Sequence, residues 1–294
     1  MAIFEGAGVA LVTPFAKTGE INYEKLEELV EEQIAGGTDC IVAMGTTGES
    51  ATTTEEEHLQ AIRFICQAVK GRAPVIAGTG SNCTRTAVEL SVEAQEAGAD
   101  GVLLVSPYYN KATQKGLKAH FTAVAEAIKI PAILYNIPSR TGVNIAPETI
   151  AELCRDVKNI VGVKEASGDF GAIATLLNLS DGNVDVYSGN DDQVVPMLAL
   201  GAKGVISVLS NVAPRETHDM CAEFFKGNVE ASRAIQLKAM PLIKALFCEV
   251  NPIPVKAAMN LMGKDVGEPR LPLTVMEPAH QEILKKAMKD FGIL

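Results

Sequence analysis

Several short apolar runs in this sequence end in side chains that can react with a carbonyl group or hold a carboxylate. The run that begins at Ile160 ends in Lys164. A lysine in apolar surroundings loses solvation, which favours the neutral amine and lowers the pKa. Because a neutral amine attacks carbonyl carbons, Lys164 is a candidate for forming a Schiff base. An ion pair with a carboxylate such as Asp185, or the binding of an anion, accounts for a lysine here equally well.

The apolar run before it leads into Tyr135 and, through a loop bracketed by proline and glycine, to Arg140. Neighbouring strands lie roughly 4.8 Å apart, so a phenol at this position can reach the Lys164 amine. There it can move protons while a carbinolamine loses water. The alternative for Tyr135 is a core position with a satisfied hydroxyl. The planar fork of Arg140 suits a substrate carboxylate, although most loop arginines are surface charges.

The segment Gly45–Ser50 combines two glycines with the hydroxyls of Thr46 and Thr47. Glycines let backbone amides approach a ligand, so the segment can cradle a phosphate or a carboxylate. Neither a phosphate-loop lysine nor a dinucleotide pattern accompanies it. Phosphate sites in β/α barrels use glycine-rich loops after the last two strands. Of the last two apolar runs in this sequence, only the one that ends at Ser188 is followed by a glycine, Gly189. The sequence therefore favours a substrate with a carboxylate and no phosphate.

Two aromatic residues, Tyr108 and Tyr109, follow another apolar run, which begins at Gly101. Their position after the run predicts exposure at the rim of the sheet. Exposed aromatic pairs of this kind serve either as anchors of an interface or as residues of a binding site.

The elements that must position these residues are eight short runs rich in β-branched residues, with helical patterns between them. Strands that alternate with helices need a parallel sheet covered by helices. Eight of them suit a closed (β/α)8 TIM barrel, because closure removes both sheet edges. An open doubly wound sheet is disfavoured, because no G-x-G-x-x-G turn follows the first run. The predicted strands are Val9–Phe15, Cys40–Met44, Pro74–Gly78, Gly101–Ser106, Ala132–Ile137, Ile160–Lys164, Val184–Ser188 and Gly204–Leu209.

Alternation along the sixth strand predicts that Lys164 points into the barrel, while Val161 and Val163 face the helices. Helix starts are indicated by Asn22 and by a capping-box pattern at Thr54. After about residue 222 the strand pattern stops, and three helical segments follow, Phe224–Phe247, Pro254–Met262 and one from Glu277-Pro278 to Gly292. The sequence thus predicts a catalytic barrel over residues 1–223 and a C-terminal α-helical region over residues 224–294.

Composition excludes several classes of partner. The net charge of −10 disfavours nucleic acid and anionic lipid. No run approaches the roughly 18 apolar residues of a membrane span, and the N-terminal segment resembles a first strand, not an export signal. The histidines and cysteines lack metal-ligand spacing, so no metal is expected. Six cysteines without a C-x-x-C pair predict reduced thiols and a cytoplasmic location.

Taken together, these motifs resemble the dihydrodipicolinate synthase and N-acetylneuraminate lyase family of pyruvate-dependent barrel enzymes. The resemblance covers nearly the whole chain, and the Gly45–Ser50 motif combined with Lys164 is its most specific part. Thr46-Thr47 and Arg140 resemble the synthase branch, which acts on L-aspartate 4-semialdehyde. The remaining matching segments are Thr13-Pro14-Phe15, Pro107–Asn110, Tyr135–Pro138, Ser188-Gly189 and Asn251–Lys256.

The resemblance implies condensation of pyruvate with L-aspartate 4-semialdehyde in the diaminopimelate and lysine pathway. Lys164 then forms the imine with pyruvate and no cofactor is needed. The usual assembly is a homotetramer, a dimer of dimers, in which Tyr109 reaches the site of the neighbouring subunit. The implied proton relay is Tyr135, Thr46 and Tyr109, and the implied substrate-binding residues are Thr47, Arg140, Gly189 and Ile206.

Two alternatives and one departure accompany this interpretation. A sister aldolase acting on keto-deoxy sugar acids uses the same imine, and a non-catalytic barrel can serve as a keto-acid sensor. Members inhibited by L-lysine commonly carry a histidine where this chain has Glu55, and a glutamate where it has Thr86. Loss of that carboxylate removes a charge-assisted hydrogen bond worth roughly 1.5–3 kcal/mol. The sequence therefore predicts weak or absent inhibition by lysine.

Overall fold

Eight parallel strands form a closed barrel in the computed structural model, which describes residues 2–294. Each strand pairs with the next along the chain, and the last pairs with the first through Gly8 and Ile206. The predicted (β/α)8 barrel is therefore confirmed, and the open-sheet alternative is wrong. The strands are β1 Gly6–Ala10, β2 Cys40–Ala43, β3 Val75–Gly78, β4 Gly101–Val105, β5 Ala132–Asn136, β6 Ile160–Glu165, β7 Asp185–Ser188 and β8 Gly204–Ser207.

The helices surround this barrel, and their first turns follow the predicted capping patterns. The Asn22 side chain accepts a hydrogen bond from the Lys25 amide, and Thr54 and Glu57 form a complete capping box. Pro147 and Pro214 begin their helices. The helices are α1 Tyr23–Ala35, α2 Glu55–Val69, α3 Thr84–Glu96, α4 Gln114–Glu126, α5 Pro138–Thr141, α6 Pro147–Asp156, α7 Phe170–Leu179, α8 Val194–Ala199, α9 Pro214–Phe225, α10 Val229–Leu246, α11 Ile253–Leu261 and α12 Pro278–Phe291.

Side chains alternate between two apolar clusters, one inside the barrel and one between the strands and the helices. Phe4, which precedes β1, stacks on Tyr187 with the ring centroids 4.4 Å apart. The Tyr187 hydroxyl donates to the Phe4 carbonyl over 2.8 Å, so this end of the barrel is filled and sealed. The polar side chains that can do chemistry are left at the opposite end, after the carboxyl ends of the strands.

Two details of the strand prediction are wrong. β1 begins at Gly6 and ends at Ala10, three residues or more before the predicted segment, because the backbone from Val12 onward bonds to other elements. The β5–β6 register shifts between Ala132 and Ile133, and this bulge turns Val161 toward the inner cluster instead of toward the helices. Beyond the bulge the alternation holds, since Val163 packs in the outer cluster.

The first of the predicted C-terminal helices begins later than expected. α9 continues to Phe225, and the Asn228 side chain caps α10, so the predicted helix Phe224–Phe247 is interrupted at its start. The final helix lies where it was predicted, with Gly292 in the left-handed conformation after it. The division into residues 1–223 and 224–294 stays a prediction, and α9 crosses that boundary. In the described residues, no helix has the length and apolar character needed to cross a membrane.

Candidate active site

A cavity opens at the carboxyl ends of the strands, where the sequence placed the chemistry. Six of the predicted site residues line it together. Two further lining residues, Phe247 and Asn251, come from the C-terminal region. The six predicted residues are Thr46, Thr47, Tyr135, Arg140, Lys164 and Gly189.

Lys164 lies near the end of β6 and is 6% exposed. Its amine nitrogen lies 4.5 Å from the centroid of the Tyr135 ring, the side chain paired with it across β5 and β6. Burial, aided by the Arg140 cation and opposed by the Asp191 carboxylate, lowers the pKa of this amine to about 8. Asp185, the alternative ion-pair partner, lies lower in the barrel: it is the backbone register partner of Gly162, whereas Lys164 is the register partner of Tyr187. Lys164 is therefore held where its neutral form is accessible near physiological pH.

Tyr135 is buried beside this amine at the end of β5. Burial raises the pKa of its hydroxyl to about 12, against the opposing influence of the Arg140 cation and a polar contact with the Thr46 side chain. The phenol therefore keeps its proton at neutral pH. The neutral amine can attack a carbonyl carbon, and the protonated phenol beside it can donate a proton to the oxygen of that carbonyl.

Gly189 is required by the packing around Lys164. A β-carbon at this position would lie 2.7 Å from the Ala166 β-carbon and 3.2 Å from Cε of Lys164. Any larger residue would therefore displace the lysine. On the outer face, the Asn136 amide donates to the Glu165 carboxylate over 3.0 Å, and the Ser167 amide donates to it over 2.7 Å. These bonds fix the chain immediately after Lys164.

The loop after β2 carries Thr46 and Thr47 and is held from two directions. The Thr13 hydroxyl, after β1, donates to the Gly48 carbonyl over 2.7 Å. The Glu49 carboxylate pairs with the Lys256 ammonium of α11 over 2.7 Å, and both side chains are fully buried. Burial lowers the pKa of Lys256, and the Glu49 charge opposes that change. This pair could not be predicted from the sequence, because 207 residues separate its members.

Asp191 connects the loops after β7 and β8. Its carboxylate accepts hydrogen bonds from the Ser207 hydroxyl at 2.5 Å and from the amides of Val208 and Leu209 at 3.0 and 2.9 Å. Burial raises the pKa of this carboxyl, and these hydrogen bonds and the Lys164 charge oppose the rise. Asp191 thus acts on Lys164 through space while it fixes two of the loops around the cavity.

Arg140 lies in α5, a single helical turn, where the sequence predicted a loop. One of its terminal nitrogens, Nη2, donates to the Asn251 carbonyl over 3.0 Å. Its side chain reaches the same cavity as Lys164 and Thr47. The guanidinium is therefore held by a backbone group at the cavity wall, where its fork can meet a carboxylate.

Two predicted site residues lie elsewhere in this single chain. Tyr109 is 89% exposed and its φ of 72° places it in the left-handed region. Ile206 lies within the inner apolar cluster. The contributions of both residues to the site stay predictions. Phe247 and Asn251 had no predicted role, and only the Asn251–Lys256 motif pointed to this part of the chain.

The described residues contain neither a group of side chains suited to a metal ion nor a disulfide bond. Across residues 2–294, no group of three His, Cys, Asp or Glu side chains is placed to hold a metal ion. All six cysteines are free thiols, and most are at least half-buried.

The fold and the site together define an aldolase-type lyase of class I, in which a lysine at the mouth of a β/α barrel reacts with a carbonyl substrate. The chain belongs to the Dihydrodipicolinate synthetase family, whose sequence profile matches residues 3–291. The family resemblance seen in the sequence is confirmed.

Relatives in this family match over their whole length. The 4-hydroxy-tetrahydrodipicolinate synthase of Lachnoclostridium phytofermentans is 59% identical over 294 residues, with 100% of each chain covered. The enzyme of the same name from Acetivibrio thermocellus is 56% identical over 292 residues, with 99% of each chain covered. The crystal structure of dihydrodipicolinate synthase from Thermotoga maritima is 45% identical and superposes with a TM-score of 0.97, covering 100% of both chains.

Proposed function

We propose that this chain condenses pyruvate with L-aspartate 4-semialdehyde to give 4-hydroxy-tetrahydrodipicolinate, a step toward diaminopimelate and lysine. The observation that carries the proposal is the buried Lys164 amine, whose pKa of about 8 leaves a useful neutral fraction at physiological pH. The full-length relatives named above support the choice of substrates. Arg140 supports it too, because its guanidinium places a cation at the cavity where the carboxylate of a second substrate can bind.

The first half of the reaction forms the imine. The neutral Lys164 amine attacks the ketone carbon of pyruvate, and a proton from the Tyr135 phenol converts the developing alkoxide to a hydroxyl. The carbinolamine nitrogen returns a proton to Tyr135, which donates it to the departing hydroxyl, so water leaves and a protonated imine remains beside the Tyr135 phenolate. Thr47 holds the pyruvate carboxylate during these steps. The lysine is itself the covalent catalyst, so the reaction requires no separate cofactor.

The second half forms the carbon–carbon bond and closes the ring. The Tyr135 phenolate takes a methyl proton, which converts the protonated imine to an enamine whose terminal carbon attacks the aldehyde of the semialdehyde. Arg140 holds the carboxylate of this second substrate. The relay of Tyr135, Thr46 and Tyr109 protonates the new alkoxide. The amino group of the second substrate then attacks the imine carbon and displaces Lys164, which regenerates the free amine and releases the cyclic product.

The relay implies an oligomer. Tyr109 is exposed at the rim, and a partner subunit is the simplest source of the tyrosine that completes each site. We propose a homotetramer built as a dimer of dimers, located in the cytoplasm, where free cysteines stay reduced. Nucleic acid and membranes are not expected among its partners.

Reductive trapping tests the covalent step. Borohydride added with pyruvate should leave a stable mass adduct on the peptide that contains Lys164, and a Lys164→Ala variant should carry none. Labelling of a different lysine, or unimpaired turnover in that variant, would falsify the imine mechanism. An assay that compares L-aspartate 4-semialdehyde with sugar-acid aldehydes then tests the second substrate. Preference for the sugar-acid aldehydes assigns the chain to the sister aldolases.

Inhibition of the enzyme by L-lysine, the end product of the pathway, is expected to be weak. Thr86 at the start of α3 offers no carboxylate to a lysine ammonium, and Glu55 replaces a common histidine at the start of α2. Half-inhibition of the enzyme by millimolar or lower L-lysine contradicts this expectation.

A further inference from the structure

Asn251, in the segment between α10 and α11, touches two residues of the proposed substrate site. Its side chain is 6% exposed and lines the cavity. The amide nitrogen Nδ2 donates to Oγ1 of Thr47 over 2.9 Å. Its backbone carbonyl accepts the hydrogen bond from Arg140 over 3.0 Å. A single residue of the C-terminal region therefore joins the two candidate carboxylate-binding residues.

The direction of the Asn251–Thr47 hydrogen bond restricts what the threonine hydroxyl can do. An amide NH2 group has donors and no acceptor, so the Thr47 oxygen accepts in this bond. The hydroxyl proton of Thr47 is then left for a different acceptor. Thr47 lines the cavity, where the carboxylate of a bound keto acid provides such an acceptor.

The oxygen of the Asn251 side-chain amide makes no hydrogen bond of its own within residues 2–294. This oxygen, Oδ1, is buried. A buried oxygen without a partner is unfavourable for folding. The benefit that this side chain brings is therefore the donation to Thr47.

We propose that Asn251 is a positioning residue that fixes the Thr47 hydroxyl as a hydrogen-bond donor to the carboxylate of the keto-acid substrate. This inference rests on the proposed function, since it assumes that Thr47 holds pyruvate. It assigns Asn251 to the first substrate only. The contact with Arg140 runs through the backbone and survives replacement of the side chain.

The test compares Asn251→Ala and Asn251→Asp, with the KM of each substrate and kcat as readouts. Alanine removes the donor and should raise the KM for pyruvate about tenfold, the size of one hydrogen bond to a charged group. The aspartate carboxylate would accept a hydrogen bond from the Thr47 hydroxyl, which would turn that hydroxyl away from the substrate. It would also add a negative charge near the substrate carboxylate. Asn251→Asp should therefore raise that KM further than alanine does. The KM for the semialdehyde should change less than twofold in Asn251→Ala, roughly the scatter expected for an uncoupled site.

Thr47→Val and the double variant Thr47→Val/Asn251→Ala decide whether the effect passes through Thr47. If it does, Asn251→Ala adds nothing to the pyruvate KM once the hydroxyl is absent. Asn260→Ala is the matched control, because this nearby asparagine donates to the Gly267 carbonyl outside the cavity. Its kinetic constants should equal those of the parent enzyme.

Equal rises in both KM values, or a full additional effect of Asn251→Ala in the Thr47→Val background, overturn the proposal. If Asn251→Asp does not fold, the cycle of the other three variants decides. Failure of the proposed function is a separate result, seen as absence of a pyruvate adduct on Lys164 in the parent enzyme.

Discussion

Lys164 and Tyr135 are register partners on adjacent strands, and the lysine nitrogen lies 4.5 Å from the centroid of the tyrosine ring. A nitrogen over an aromatic face is attracted when it carries a charge. Burial acts in the opposite direction and dominates, since the pKa of Lys164 falls to about 8. The Tyr135 pKa moves upward, to about 12, so the two groups are driven toward a neutral amine and a neutral phenol.

The pH dependence of imine formation follows from the Lys164 pKa. Only the neutral amine attacks, and its fraction falls about tenfold for each pH unit below a pKa of about 8. The rate of pyruvate-imine formation should therefore rise with pH up to about 8 and level off above it. Quenched-flow reductive trapping between pH 6 and pH 9.5 measures this rate. A profile that still rises steeply at the top of this range indicates an unshifted lysine.

Tyr135→Phe should keep the ring over Lys164 and remove the proton donor. We expect kcat to fall about 10²–10⁴-fold, the usual contribution of a general acid or base. Tyr187→Phe is the matched control, because its hydroxyl bonds to the Phe4 carbonyl at the sealed end of the barrel. That variant should lose about 1 kcal/mol of stability and keep its activity. Equal activity losses in the two variants contradict a catalytic role for Tyr135.

Gly189→Ala should misplace Lys164 without unfolding the barrel. The new β-carbon would lie 2.7 Å from the Ala166 β-carbon and 3.2 Å from Cε of Lys164, so both must give way. We expect a smaller loss of rate than the roughly 10²-fold that a full 1 Å misplacement costs. Gly116→Ala, on α4, places its β-carbon 3.5 Å from the nearest atom and serves as the control. Steady-state kinetics and thermal melting of both variants separate displacement from unfolding. Full activity in Gly189→Ala shows that Lys164 tolerates the contact.

Mixing two inactive variants tests whether Tyr109 acts in a neighbouring subunit. Lys164→Ala and Tyr109→Phe should each have little activity. In a mixed dimer, one site combines an intact lysine with an intact tyrosine supplied by the partner. Co-refolded variants should therefore recover about a quarter of the sites, since half of randomly formed dimers are mixed and each has one intact site. No recovery, despite mixed dimers seen by mass spectrometry, places Tyr109 in its own subunit's site or outside the relay.

Lys256→Met should destabilise the protein through the buried Glu49 carboxylate. Removal of one partner leaves an uncompensated charge, which costs about 3–5 kcal/mol. Chemical denaturation at constant protein concentration measures this loss. The exposed pair Lys286–Asp290 on α12 provides the control, and Lys286→Ala should change stability little. In the double variant Glu49→Gln/Lys256→Met no charge remains unpaired, so part of the lost stability should return.

The barrel could be predicted because most of its strands are short, branched apolar runs with helical periodicity after them. β1 was misplaced because its residues, Gly6, Ala7 and Gly8, carry too little apolar volume to signal a strand. Small residues are required there, since a β-carbon at Gly6 would lie 2.1 Å from a carboxylate oxygen of Asp39. The bulge that turned Val161 inward is set by pairing with β5, which strict alternation cannot reveal.

Most of the cavity could also be predicted, because strand ends in a barrel converge on one face. The roles of Asn251 and Lys256 could not be predicted from the sequence, because their partners lie 204 and 207 residues earlier in the chain. Neither carries a local signal, because an asparagine before a proline is also an ordinary turn and a lysine in a helix is usually solvated. Tyr109 was predicted to be a site residue, but a single chain does not show its contacts, because its proposed partners belong to another copy of the chain.

The dependence of the β2 loop on Lys256 has a consequence for biosynthesis. A chain still attached to the ribosome exposes its eighth strand long before the segment that anchors Thr46 and Thr47 has emerged. The residues that hold this loop are therefore added only after all eight strands have been made. Premature termination after α9 would leave Lys164 in the chain but remove Asn251 and Lys256, so the proposed keto-acid site would lack both of its anchors.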